Sequence, residues 1–355
     1  MRALILGGTG AMGAHLCKML AERGYEVTCT SRSSHEPQDN ISYAVGDAKN
    51  PVFLDGLLSS RWDAIIDFMV WSTTEFMERY RGFLAATDQY VFTSSYRVYA
   101  NSPVINENSS RLLDVVDDST YLATDEYALS KARCEDMLFC SGELNWTVIR
   151  PAVTYDGSNG RLQLGVFESQ EWLWRALNGV PVPMPTEMLD RRATMSYGAD
   201  VAQMICLLIG SPDALGETFT VSSSDYMTWR EVAESYAKIC SLEIVECKLD
   251  DFISLRGGVY QIIYDRMYDR VVDNSKVLSV TGMDPSELTP MRVGVSRELA
   301  VYLATGGQIA LQAGFQGKMD YLCGGFPSAT AVFNEGGCVA AGKYLVRRLT
   351  GLIYG

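Results

Sequence analysis

Through its first 150 residues the chain alternates short apolar runs with longer stretches in which apolar positions recur every three or four residues. The runs are Arg2–Leu6, Glu26–Thr30, Ile41–Val45, Ala64–Asp67, Gln89–Thr93 and Trp146–Pro151. Near-continuous apolarity over so short a length marks strands buried on both faces, as a parallel sheet requires. Helical periodicity fills the intervals near 52–59 and 74–86, and the stretch after Gly13, which carries Leu16, Met19 and Leu20 and closes at Gly24. Strand and helix in strict alternation predict an α/β fold: a right-handed, doubly wound parallel sheet with helices on both faces.

Beyond residue 100 the rhythm breaks. Asn101–Thr120 is a polar, acidic insertion, and Asp114, Asp117 and Asp118 within it read as a solvated loop rather than a metal site. From about 156 the pattern is less regular, and Pro181-Val-Pro-Met-Pro185 reads as a rigid extended crossover between lobes. Asp200–Ile209 returns as a helix of the first domain. The predicted organisation is therefore a first domain of residues 1–155 and 193–222, and a smaller, C-terminal lobe of 156–192 and 223–355. Past residue 304 glycine pairs accumulate before a helix-like Lys343–Arg348 patch. That tail is suited equally to ordering a substrate, to self-association or to packing as an extra helix.

Chemistry enters at the first strand's end. Gly7-Gly8-Thr9-Gly10-Ala11-Met12-Gly13 stands between a strand and a helix and satisfies both G-x-G-x-x-G and G-x-x-G-x-x-G. Glycines allow a tight turn and close backbone approach, while the helix N-terminus offers free N–H groups to a pyrophosphate. The run predicts a Rossmann-like dinucleotide site contacted by Gly7, Thr9, Gly10, Ala11, Met12 and Gly13. After the second strand such sites usually carry an acidic residue for the adenine ribose. Here Ser31 and Arg32 stand instead, which favours a 2′-phosphate and hence NADP over NAD. Asp47, after the third strand, is a candidate adenine contact or a turn aspartate.

Tyr127-Ala-Leu-Ser-Lys131 lies about 120 residues downstream of the glycine run. Residues four apart share a helix face, so the phenol of Tyr127 and the ammonium of Lys131 can meet over one ligand. A fixed positive charge favours a phenolate, which lets a tyrosine exchange a proton with a secondary alcohol or ketone while a nicotinamide carries the hydride. Ser95 follows the fifth strand, where ligands bind in open α/β sheets, and its hydroxyl can bond the reacting oxygen.

These landmarks, with Gly46-Asp47, Ser94-Ser95-x-x-Val98-Tyr99, Arg150-Pro151 and Tyr197-x-x-Asp200-Val201-Ala202, make residues 1–300 resemble the extended short-chain dehydrogenase/reductase family, of sugar-nucleotide epimerase and dehydratase type. The resemblance implies that Ser95 is the catalytic hydroxyl, Tyr127 the acid–base and Lys131 the residue that holds the ribose and assists the tyrosine. Asp67 departs from it, since many relatives have a histidine there. So do Tyr96 and Arg97, which replace the Asp-Glu pair of relatives that dehydrate sugars, and disfavour that reaction. The implied activity is epimerisation or ketone reduction on a nucleoside-diphosphate sugar, with Tyr96 as a substrate contact; reduction of a non-sugar ketone and non-catalytic cofactor binding are the alternatives. Homodimerisation is the family's habit.

In the second lobe, planar guanidinium forks suit a diphosphate, which nominates Arg191, Arg192, Arg266 and Arg270. The last two are four apart, on one face if that stretch is helical, although Asp265 and Asp269 make an ion-paired surface an equal reading. Trp172 and Trp174 read as core.

Composition adds bounds. The 355 residues are 47% hydrophobic, enough for a sizeable core. Net charge is −13 without a basic run, so nucleic acid is not an expected partner. Nine cysteines without a C-x-x-C pair read as reduced thiols of a cytoplasmic protein. Only His15 and His35 are present, neither in a cluster, so no metal is expected. The N-terminus enters the glycine run directly, unlike a signal peptide, and no apolar stretch nears the ~20 residues of a membrane span.

Overall fold

The computed structural model describes residues 1–307 and 309–350. The chain divides into two units. The first comprises Met1–Thr154, Thr194–Ser224 and Val272–Thr289; the second comprises Tyr155–Ala193, Asp225–Val271 and the chain from Pro290 onward. The sequence pattern assigned 272–289 to the second lobe. The helix Ser275–Thr281 instead buries Val277 and Leu278 in the first unit's core, and Asp273 N–H donates to Ile105 O at 2.8 Å.

The first unit is built on a sheet of seven strands: β1 (Arg2–Leu6), β2 (Glu26–Ser31), β3 (Ile41–Val45), β4 (Trp62–Asp67), β5 (Thr87–Thr93), β6 (Trp146–Pro151) and β7 (Glu217–Val221). Their order is β7-β6-β5-β4-β1-β2-β3, and every pairing is parallel. Each strand serves both faces. Ala3 and Ile5 of β1 enter a core with Leu16, Leu20, Val201 and Ile205, while Leu4 and Leu6 enter another with Leu54, Phe83, Tyr90 and Phe92. Two apolar covers remove the need for polar alternation, hence the continuous runs. Strand order reverses between β1 and β4, and ligands in such sheets bind beyond the carboxyl ends at that switch point.

The flanking helices are α1 (Gly13–Glu22), α2 (Pro51–Leu58), α3 (Thr73–Met77), α4 (Tyr80–Ala86), α5 (Tyr127–Phe139) and α6 (Gly198–Leu208). Residues 74–86, expected as one helix, break at Glu78-Arg79. Ser72 and Glu75 cap α3 reciprocally, which fixes its start. The acidic insertion contains two single-turn helices; Asp114 pairs with Arg111 and Asp118 caps Tyr121 N–H. Among the described residues no cluster of His, Cys, Asp or Glu could hold a metal, and no helix is long and apolar enough to cross a membrane. All nine cysteines are free.

The second unit is mainly helical. Pro181–Pro185 is not a crossover: Val182–Pro185 is a strand paired in parallel with Ile244–Cys247. Trp172 stacks on Tyr236 at 4.6 Å and Trp174 packs with Ala313, Val332 and Tyr344, so both are core. The tail forms helices Ala313–Cys323 and Ala329–Thr350, the latter kinked at Gly337. Asp320 is their hub. Fully buried, it accepts from Arg175 (2.8 Å), Ser328 N–H (2.8 Å), Ser328 Oγ (2.7 Å) and Tyr344 Oη (2.7 Å). Removing one partner of a buried pair leaves the other charge uncompensated. Asp320→Ala should therefore cost roughly 3–5 kcal/mol, read as a lower urea midpoint by tryptophan fluorescence.

Candidate active site

The glycine turn connects β1 to α1. Gly7 adopts φ +69°, and its N–H donates to Thr30 Oγ1 at 2.9 Å, which ties the turn to the end of β2. A β-carbon on Gly8 would lie 2.6 Å from Ile5 Cγ2 and 2.8 Å from Cys29 Sγ. One on Gly13 would lie 2.5 Å from Gly8 Cα. Gly8 and Gly13 therefore touch backbone to backbone where no side chain fits, and Met12 gives α1 no side-chain cap. Thr9 and Gly10 are exposed, and Ala11 is buried. A crowded glycine cradle opening an uncapped helix fits a dinucleotide pyrophosphate. Gly8 and Thr30 were not singled out from sequence. Gly8 did stand within the motif, whereas the Thr30 contact depends on β1–β2 register.

At the carboxyl end of β2, Ser31 closes the strand and its Oγ lies 2.8 Å from His35 Nε2. Arg32 is exposed and makes no ion pair among the described residues. Asp47 is exposed, and its Oδ1 accepts from Lys49 N–H at 2.9 Å, which is the turn role.

The reactive groups gather at the carboxyl ends of β4 and β5. Tyr127 begins α5, which Glu126 caps through Ala128 N–H at 2.8 Å. One turn later, Lys131 Nζ lies 6.0 Å from the centre of the Tyr127 ring and donates to Met69 O (2.9 Å) and Thr93 O (2.7 Å). Two residues after Thr93, Ser95 Oγ accepts from Arg97 N–H at 3.2 Å. The Arg97 guanidinium covers the Tyr127 ring at 5.0 Å and pairs with Glu126 at 2.5 Å. Ser95, Tyr127 and Lys131 thus share one edge, with Arg97 linking the first two. Tyr96 is only 3% exposed, which leaves little of it for a substrate to touch. Thr93 Oγ1 and Ser94 Oγ are buried beside Ser95 with no hydrogen-bond partner among the described residues.

Beneath this edge lies Asp67. Its carboxylate accepts from Met69 N–H (2.8 Å), Trp71 Nε1 (2.7 Å) and Tyr90 Oη (2.6 Å). Burial raises its pKa, against the opposing pull of those donors and of Lys131.

In the second unit, Arg266 ends a π-helical turn, Ile262–Arg266, and Arg270 lies beyond it, so the two do not share a helix face. Both are buried and converge on Asp265; Arg266 also donates to Gly165 O and Arg270 to Tyr264 O. The lobe's interior consumes these two candidates. Arg192 pairs with Asp269 at 2.8 Å, and Arg191 makes no ion pair among the described residues.

A sequence profile of the NAD dependent epimerase/dehydratase family matches residues 3–222. The chain is 26% identical over 254 residues to the chloroplast stem-loop binding protein of 41 kDa b of Arabidopsis thaliana, spanning 67% of this chain and 62% of that protein. Epimerase Mth375 from Methanothermobacter thermautotrophicus superposes with a TM-score of 0.67 at 15% identity, covering 86% of this chain and 93% of that one. UDP-glucuronic acid 4-epimerase from Bacillus cereus, solved with UDP-glucuronic acid and NAD, gives 0.67 at 15% identity, covering 86% and 99%. At such identities the structural likeness speaks for the fold.

The cradle yields a direct test. Gly13→Ala forces Gly8 backbone to move and should abolish binding of nicotinamide dinucleotides in calorimetric titration, whereas alanine at Gly56, where a β-carbon meets nothing within 4 Å, should leave it intact.

Proposed function

Because the chain belongs to the NAD dependent epimerase/dehydratase family, we propose that it is a nicotinamide-dependent hydride-transfer enzyme acting on a secondary alcohol or ketone of a nucleoside-diphosphate sugar. The observation that carries this reading is the Tyr127–Lys131 pair on α5, set with Ser95 at the carboxyl edge of a sheet that also carries the glycine cradle. The turn from Gly7 to Gly13 would hold the pyrophosphate and Lys131 the ribose, and the bound nicotinamide supplies hydride chemistry. Ser95 Oγ bonds the reacting oxygen. Tyr127 Oη takes the proton of an alcohol undergoing oxidation, or returns one to a ketone undergoing reduction. Tyr96 and Arg97 supply no carboxyl group for eliminating water, and Arg97 is already paired with Glu126. Of the four arginines nominated for a diphosphate, Arg266 and Arg270 are consumed by Asp265 and Arg192 pairs with Asp269, whereas Arg191 makes no ion pair among the described residues.

Two outcomes share this chemistry. An epimerase oxidises and then reduces the same carbon and gains from retaining its cofactor; a reductase must exchange it. Family membership favours the first, while the unpaired Arg32 favours NADP and net reduction. The stem-loop binding in the plant relative's name is not carried over. With 43 acidic against 30 basic residues, this chain is poor in the cations that neutralise nucleic-acid phosphates.

Mass spectrometry of small molecules released from freshly purified, denatured protein separates the outcomes. Stoichiometric NAD marks a recycling epimerase; an empty site that then binds NADPH more tightly than NADH marks a reductase. Protein that neither carries nor binds either cofactor overturns the reading. In a sugar-nucleotide panel, Tyr127→Phe should lower turnover by about 10²-fold or more while binding cofactor as wild type does. Normal turnover in that variant would remove Tyr127 from the mechanism.

A further inference from the structure

Asp67 is fully enclosed at the carboxyl end of β4, at 0% exposure, and the turn it organises touches both halves of the proposed cofactor site. One carboxylate oxygen takes the Met69 N–H; the other takes Trp71 Nε1 and Tyr90 Oη, two anchors in the core. Met69 is thereby fixed between two functional elements. Its carbonyl accepts from Lys131 Nζ at 2.9 Å, and its Sδ packs so closely on the glycine turn that a β-carbon at Gly7 would lie 3.0 Å away. Phe68 Cβ would be 3.8 Å from that same carbon. Lys131 is itself only 2% exposed and donates to two neutral carbonyls. The Lys131 charge is felt at Asp67, where it pulls the carboxylate's pKa down against the burial that raises it.

We propose that Asp67 is a positioning residue for the nicotinamide cofactor: through Met69 it sets the distance between Lys131 and the glycine turn, and its charge holds the lysine in place. A neutral acceptor cannot do both. Asparagine has the same shape, but one of its two acceptor sites becomes an N–H₂ group. Whichever way the amide is turned, that group faces an N–H donor, of Met69 or of Trp71. The inference rests on the hydride-transfer reading and concerns the same site.

Calorimetric titration with NADH and NADPH, alongside thermal unfolding, tests it in wild type, Asp67→Asn and Tyr344→Phe. Tyr344→Phe removes one donor from the buried Asp320 of the second unit and serves as the structural control. The expected result is a lower unfolding midpoint in both variants, but a dissociation constant raised roughly tenfold only in Asp67→Asn. Should that protein fail to fold, Met69→Gly carries the test, because it keeps the backbone groups while removing the Sδ packing on Gly7 and loosening the turn. Its affinity should fall likewise. Wild-type affinity in a folded Asp67→Asn, or in Met69→Gly if that variant replaces it, overturns the inference alone. A wild-type protein that binds neither dinucleotide overturns the hydride-transfer reading, and this inference with it.

Discussion

A parallel sheet covered on both faces cannot satisfy water along its length, so its only polar openings are the ends of its strands. In this protein β1 pairs with both β2 and β4, and the reversal of strand order at that point concentrates chemistry at one edge. The glycine turn leaves the carboxyl end of β1, Asp67 closes β4, and Ser95 follows β5. None of these groups comes near another in sequence. Parallel register brings them together, and the helices that cover the sheet hold that register.

Polar groups buried at the edge are met mainly by fixed partners. Lys131 is held by two main-chain carbonyls, Asp67 by three donors, and the glycine turn by Thr30. Such groups are costly when unpaired and orienting when satisfied. Thr93 Oγ1 and Ser94 Oγ have no hydrogen-bond partner among the described residues, and they adjoin the serine proposed to bond substrate.

The second unit applies the same rule to a different end. Asp265 and Asp320 are buried acids around which arginines, hydroxyls and backbone groups close. Arg175, Arg266 and Arg270 hold helices and turns together there. Arg192, half-exposed, pairs with Asp269 at the unit's surface rather than in its interior.

What the sequence determined by itself is what local periodicity and spacing can encode. Six strands of the sheet, the glycine turn into α1 and the four-residue spacing of Tyr127 and Lys131 are all short-range patterns, and they were legible for that reason. Tertiary structure decided whatever depends on partners far along the chain. Glu217–Val221 becomes a seventh strand only by pairing with β6, and Val272–Thr289 joins the first unit by supplying a helix to its core. Arg266 and Arg270 looked like phosphate ligands until Asp265, Gly165 and Tyr264 took their donors. Asp67, read from sequence as a departure at a strand end, gained its meaning from Trp71, Tyr90 and Met69 closing around it. A side chain's neighbours along the chain fix its secondary structure, but its hydrogen bonds and charge partners belong to whichever elements fold against it, and only the folded chain assigns those.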